Sequence, residues 1–198
     1  TGWVIGRQLD KGLNPRAMRR VGRFMAELHC HARDWELSPD TPRSTLKGLW
    51  HDATPLDLAA ESPLVSEAVG ALRPLVEALD AEPCHVIHAD LHHGNYRFPK
   101  GGVAAIDFDD MGFGSRASDV GISFYYTDLR SDADALQRAF AEGYRERLRW
   151  PDPELIRAAV LQRALVLLAV VRHDPALHGY LPGLLERFER RLDRFACG

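Results

Sequence analysis

In the stretch NPRAMRRVGRFMAELHCHARDW, apolar residues fall at Met18, Val21, Phe24, Met25 and Leu28, every three or four positions, which places them on one face of a helix. Asn14 supplies an N-cap and Pro15 a first helical residue that needs no backbone donor. The same Ser-Pro start opens SPLVSEAVGALRPLVEALD, where Pro74 is expected to kink or divide the helix. Helical spacing returns from residue 116 onward, in SDVGISFYYTDL, SDADALQRAFAEGYRERL, DPELIRAAVLQRALVLLAVVRH and LPGLLERFERRLDRFA, with Asp152 and Pro153 repeating the cap signal. Between these blocks the period changes. TGWVIGRQLD reads as a short extended piece, DTPRSTLKGLWHDATP as a looser and partly helical connector, and CHVIH and GVAAIDF as short β-type runs. Residues 99 to 102 carry the turn chemistry that joins NYRF to VAAIDF as a hairpin. The pattern predicts an α+β, mainly helical fold of one domain over residues 1–198, with a small β-hairpin in its middle.

Composition changes this picture little. The chain has 198 residues, 45% of them hydrophobic and 27% charged, which suits a folded globular protein and excludes disorder. A net charge of -3 offers no clustered basic face for nucleic acid. The arginines of RFERRLDRF alternate with acids and apolar residues and are read as a solvated helix face. Three cysteines, Cys30, Cys84 and Cys197, without a C-x-x-C spacing, suggest neither a disulfide framework nor a cysteine zinc site, and fit a reducing cytoplasm. The longest apolar run, ALVLLAVV between Arg163 and Arg172, is far short of the ~20 residues that span a bilayer, so no membrane partner is expected. No basic region followed by an apolar stretch opens the chain, so no signal peptide is read.

The candidate chemistry sits in HVIHADLHHGNYRF, residues 85 to 98. His88, Asp90, His92 and His93 are all ordinary metal ligands, and on a strand 88, 90 and 92 share a face, so a metal-dependent hydrolase is one reading. Histidines satisfied by hydrogen bonds in a turn are a second. The third takes His88, Asp90 and Asn95 as H-x-D-x-x-x-x-N, the spacing of a phosphotransferase loop in which Asp receives the substrate hydroxyl and Asn holds magnesium. That chemistry needs a further carboxylate at the end of a returning strand, and VAAIDFDD places Asp107 there. GFGSRA also matches G-x-G-x-x-G/A, but its strand lies in a hairpin and no strand-borne acid follows at about 20 residues, so a dinucleotide site is rejected.

These residues resemble the aminoglycoside phosphotransferase and choline kinase family, small-molecule kinases with a protein-kinase-like fold. HADLHHGN is similar to its catalytic loop, with Ala89 where a glycine is usual, and Ile106-Asp107-Phe108 to its metal motif. MAELHCHA resembles the helix ending in Leu-His, and GFGSRASDVG the segment ending in a buried Asp, here Asp119. The resemblance implies that Asp90 orients the substrate hydroxyl and accepts its proton, that Asn95 and Asp107 bind Mg2+ on ATP or GTP, that His88 braces the loop, and that His92 assists the transferring phosphate. It implies that Asp119 anchors the loop and that the helices after it, with Tyr125 and Tyr126 as candidates against a plain core role, form the pocket for a small-molecule hydroxyl substrate. Asp109 and Asp110 read as solvated turn residues, with attraction of a cationic substrate as the alternative. The IDFDD segment is closer to the homoserine and stress-kinase branches than to the resistance enzymes.

Such kinases carry a β-rich N-terminal lobe with a glycine loop and a lysine paired to a helical glutamate. Of the three lysines here, Lys11, Lys47 and Lys100, none is placed for that role. TGWVIG resembles the hinge between lobes, so the chain reads as a protein-kinase-like C-terminal lobe, with the N-terminal β lobe absent from the chain. The expected consequences are weak nucleotide binding, slow transfer, and either the missing lobe or self-association as a partner for the exposed lobe face. A non-catalytic remnant that binds a ligand or partner is the alternative of a different class.

Overall fold

The computed structural model describes residues 6–9, 12–33 and 63–196. The opening residues, Lys11, the connector with Lys47, and Cys197 lie outside the described residues. Helix α1 (Pro15–Arg33) starts as its cap signal demands: the Asn14 Oδ1 accepts from the Ala17 N–H at 3.1 Å. Its apolar stripe buries Met18, Val21 and Met25, and Phe24 and Leu28 pack at the margin of the same core. Helix α2 (Pro63–Ala81) runs without a break through Pro74. Two short antiparallel pairs follow. Strand β1 (His85–Ile87) pairs with β4 (Gly112–Gly114), and β2 (Tyr96–Arg97) with β3 (Ala104–Ala105) in the register Tyr96 to Ala105. The β4 strand holds the glycines of GFGSRA in a ladder, so they form no phosphate-binding turn.

Ser115 then caps helix α3 (Arg116–Tyr125), its side chain accepting from the Ser118 N–H at 3.0 Å. Helix α4 (Ala133–Arg145) lies along α1, and two glycines permit the contact: a Cβ on Gly22 would stand 2.0 Å from the Phe140 carbonyl oxygen, and one on Gly143 would stand 1.8 Å from that of Arg19. Helix α5 (Pro153–His173) begins at Asp152, which accepts from the Glu154 N–H at 2.8 Å. A 3₁₀ turn (Pro175–Tyr180) leads into α6 (Leu181–Ala196).

The core has two parts. One gathers α1, α4 and part of α3 around Met25, Phe124, Phe140 and Tyr144, and it also takes in Leu91 and Tyr96 from the polar loop. The other packs α2, α5 and α6 around Leu72, Leu165 and Phe188. Helices α3 and α5 belong to both, so the loop is fastened into the body of the protein through its own apolar side chains. One expectation fails in α6. Arg191 is not on a solvated face: it is 6% exposed, and it donates through Nε and Nη2 to the two Asp128 oxygens at 2.7 and 2.9 Å. Helical spacing placed it among polar neighbours, but the crossing of α6 over the end of α3 buries that position. No helix among the described residues is long and apolar enough to cross a membrane.

Candidate active site

The loop between β1 and β2 is suspended from one buried carboxylate. Asp119, in the first turn of α3 and 1% exposed, accepts from the Ala89 N–H at 3.0 Å and the His88 N–H at 3.4 Å. It also meets His29 Nε2 at 2.9 Å, and His29 Nδ1 meets the Tyr144 hydroxyl at 2.7 Å. The chain thereby ties the loop to α1, α3 and α4 at a point where backbone donors would otherwise be buried unpaired. The grip forces a left-handed backbone at Ala89, φ 63°. Glycine adopts that conformation freely, whereas an L side chain crowds the following carbonyl.

His88 is buried and both its ring nitrogens are committed. Its Nε2 donates to the Ile106 carbonyl at 3.1 Å, its Nδ1 accepts from the Asp90 N–H at 3.4 Å, and its ring packs on Phe108 at 4.4 Å. It braces loop and strand together and has no lone pair left for a metal. Among the described residues no three His, Cys, Asp or Glu side chains are grouped to hold one. With both ring nitrogens engaged, His88 lends no support to the hydrolase reading of His88, Asp90, His92 and His93.

Around Asp90 the loop converges. Asn95, 6% exposed, donates its amide to the Asp90 carbonyl at 2.9 Å and to Asp90 Oδ2 at 3.2 Å. His92 Nε2 stands 3.5 Å from the same oxygen while its Nδ1 accepts from the Gly94 N–H at 2.9 Å. The other oxygen, Oδ1, receives a 2.6 Å bond from Arg163 Nη2 on α5, and the Tyr126 hydroxyl lies 3.5 Å from it. Burial pushes the Asp90 carboxyl up, but the hydrogen bond from His92 and the charge of Arg163 outweigh it and hold the group below its ordinary value.

Asp107 closes β3 in a left-handed conformation, φ 65°, with its carboxylate exposed and no ion pair among the described residues. The Ile106 N–H donates to the Asn95 carbonyl at 3.1 Å, which brings the strand end beside the loop. Asn95 and Asp107 fit a hard divalent cation. With the Asn95 amide nitrogen engaged by Asp90, its oxygen is the free donor, and Mg2+ is commonly held by one or two protein oxygens with phosphates and water completing the shell. Asp109 and Asp110 are exposed turn residues. Tyr125 is core, stacked under Arg191 at 4.0 Å, whereas Tyr126 faces the site, 4.2 Å from the His92 ring.

Arg163 was missed by sequence reasoning, which took it only as the polar end of an apolar run. Its sole sequence signal is a charge interrupting a helix otherwise buried on several faces. A separate cavity of about 620 Å³ opens between α3, α4, α5 and α6, lined by residues such as Phe124, Trp150 and Arg157, and none of the loop residues borders it.

The chain belongs to the phosphotransferase enzyme family, which matches it over residues 1–159. It is 26% identical over 169 residues to amicoumacin kinase of Bacillus subtilis (strain 168), covering 76% of this chain and 47% of that protein, so it spans about half the length of that relative. Among solved structures it is similar to a microcompartment-associated aminopropanol kinase (TM-score 0.73, 25% identity, 92% of this chain and 64% of that one). It is also similar to an amicoumacin kinase in complex with AMP-PNP, Ca2+ and Ami (TM-score 0.70, 20% identity, 96% of this chain and 63% of that one).

Proposed function

We propose that residues 1–198 are the catalytic, C-terminal lobe of a nucleotide-dependent phosphotransferase that moves the γ-phosphate of ATP or GTP to a hydroxyl of a small molecule. The observation that carries this reading is the pairing of Asp90 and Asn95: the Asn95 amide nitrogen fixes the Asp90 carboxylate and leaves the amide oxygen for a cation. In this reading Asp90 receives the acceptor hydroxyl and fixes its attacking lone pair in line with the phosphoryl group. Because its neighbours hold it ionised, its contribution is orientation more than strong basicity, as a loose phosphoryl-transfer transition state allows. His92, its Nε2 3.5 Å from Asp90 Oδ2, assists the transferring phosphate by hydrogen bonding. Asn95 and Asp107 hold magnesium, which when bound supplies charge neutralisation between the nucleotide phosphates. The names of the similar proteins, amicoumacin and aminopropanol kinases, support a small-molecule acceptor.

The test is calorimetric titration of this chain with magnesium and ATP, beside Asp107→Ala, together with transfer assays of Asp90→Asn. Binding that needs magnesium and is lost in Asp107→Ala supports the reading. Nucleotide binding indifferent to both magnesium and Asp107 overturns the assignment of the metal residues, and no nucleotide binding at all leaves the chain as a non-catalytic binding remnant.

A further inference from the structure

We infer that Arg163 is a specificity-determining residue and that the acceptor substrate carries a carboxylate or another anionic group close to the hydroxyl that is phosphorylated. The inference rests on the reading of Asp90 as the residue that receives that hydroxyl. Whatever part of the acceptor adjoins the hydroxyl must then lie against the groups that surround the Asp90 carboxylate, and the structure places four of these: Arg163, Tyr126, His92 and Asn95. None is an acid.

Among the described residues in contact at that carboxylate the acid is Asp90 itself, already matched by a guanidinium at 2.6 Å, which leaves it little net field with which to attract an ammonium group. An amine brought beside the hydroxyl would instead approach Arg163 at close range, with repulsion of like charges. Arg163 has unused capacity for the opposite partner. A guanidinium carries five N–H donors. Its hydrogen bonds among the described residues both leave from Nη2, to Asp90 and to the Tyr126 hydroxyl at 3.0 Å, while its Nε is buried without an acceptor. The Arg163 Nη1 has no hydrogen bond among the described residues and is not enclosed as Nε is, so it is the donor that an arriving oxyanion can take in a charge-assisted bond. Tyr126 sets the direction. The Arg163 guanidinium lies 5.9 Å from the centre of its ring, and the ring in turn packs on His92, so the three form one wall beside Asp90.

A purely structural ion pair predicts no dependence on acceptor charge, which is what the experiment reads. The chain is titrated, by NMR or calorimetry, with three compounds of matched length: 4-hydroxybutyrate, 4-hydroxybutyramide and 4-amino-1-butanol. The same titrations are run on Arg163→Gln, with circular dichroism to establish that the variant is folded, and magnesium-ATP binding is measured on both proteins. The carboxylate is expected to bind about tenfold tighter than the amide and tighter still than the amine, and Arg163→Gln to erase that order. Equal binding of the three, preference for the amine, binding of none, or an order unchanged in Arg163→Gln each overturns the inference. Arg163→Lys, which keeps the charge, is expected to restore part of the preference, and its failure to do so in a folded protein also counts against it. Magnesium-ATP binding without carboxylate preference sinks this inference and leaves the phosphotransferase reading intact. Carboxylate preference without nucleotide binding supports Arg163 as the anion-binding residue and counts against the phosphotransferase reading.

Discussion

Two aspartate–arginine pairs occupy different parts of this molecule and are built differently. Asp128 and Arg191 join the end of α3 to α6 with bonds at 2.7 and 2.9 Å, both side chains are largely buried, and two further donors of Arg191 are used on the carbonyls of Tyr125 and Arg187. The Tyr125 ring backs the guanidinium, and Arg194 adds a bond to the Asp128 carbonyl. Asp90 and Arg163 meet through one nitrogen at 2.6 Å, with both side chains partly open to solvent and with unused capacity on the arginine. The saturated pair is a clasp between helices. The unsaturated pair can exchange partners. A bidentate, enclosed bridge is costly to break because it strands a buried charge, whereas a single-point bridge at a solvent margin gives way to a ligand at little cost.

Breaking the clasp should have the largest effect. Arg191→Met leaves Asp128 buried without its partner and is expected to lower stability by about 3–5 kcal/mol, measured by urea denaturation. Asp119→Ala removes the acceptor shared by His29, Ala89 and His88 and should cost about 3 kcal/mol, since three buried donors lose their partner. Hydrogen exchange at the Ala89 amide should accelerate in the same variant well beyond its effect on α4, because that amide is held by Asp119 directly. Arg163→Gln should cost only about 1 kcal/mol by the same denaturation measurement, since Asn95 and His92 still attend Asp90. A loss equal to that of Arg191→Met would erase the distinction between the two pairs. Ala89→Gly should change stability least, by less than about 1 kcal/mol: relief of the left-handed strain, about 1–2 kcal/mol, is offset by the loss of a buried methyl and by the freedom glycine gains when unfolded.

Much of the fold and some of the site were legible beforehand. The starts of α1 and α5 followed from Asn14-Pro15 and Asp152-Pro153, because capping is settled within one turn of chain. The spacing that singled out Asp90 and Asn95 is equally local, and the structure does bring these two side chains within 3.2 Å. Pro74 is the opposite case. It reads as a point where the helix kinks or divides, and α2 is not divided there, since the packing of Leu72 and Val76 in the core holds the helix on both sides. Strand β4 was not foreseen, because two glycines and a phenylalanine become a strand only when β1 is there to pair with. Alternating charge reads as a solvated face in the sequence, but Asp128 and the Tyr125 ring, distant in sequence, enclose Arg191 in the fold.

By itself, then, the sequence determined where helices begin, which of their faces are apolar, and that a β-type interruption contains a phosphotransferase-like spacing of candidate residues. Each of these depends on residues within a few positions of one another, over which backbone geometry is nearly invariant. The tertiary structure alone decided that Arg163 meets Asp90 across 73 positions, that Asp119 grips the loop 30 positions away, and that Arg191 clasps Asp128 across 63. Those contacts depend on the angles at which α3, α5 and α6 cross and on small residues such as Gly121 that let α3 approach α5 closely, quantities fixed only when all the side chains are packed together.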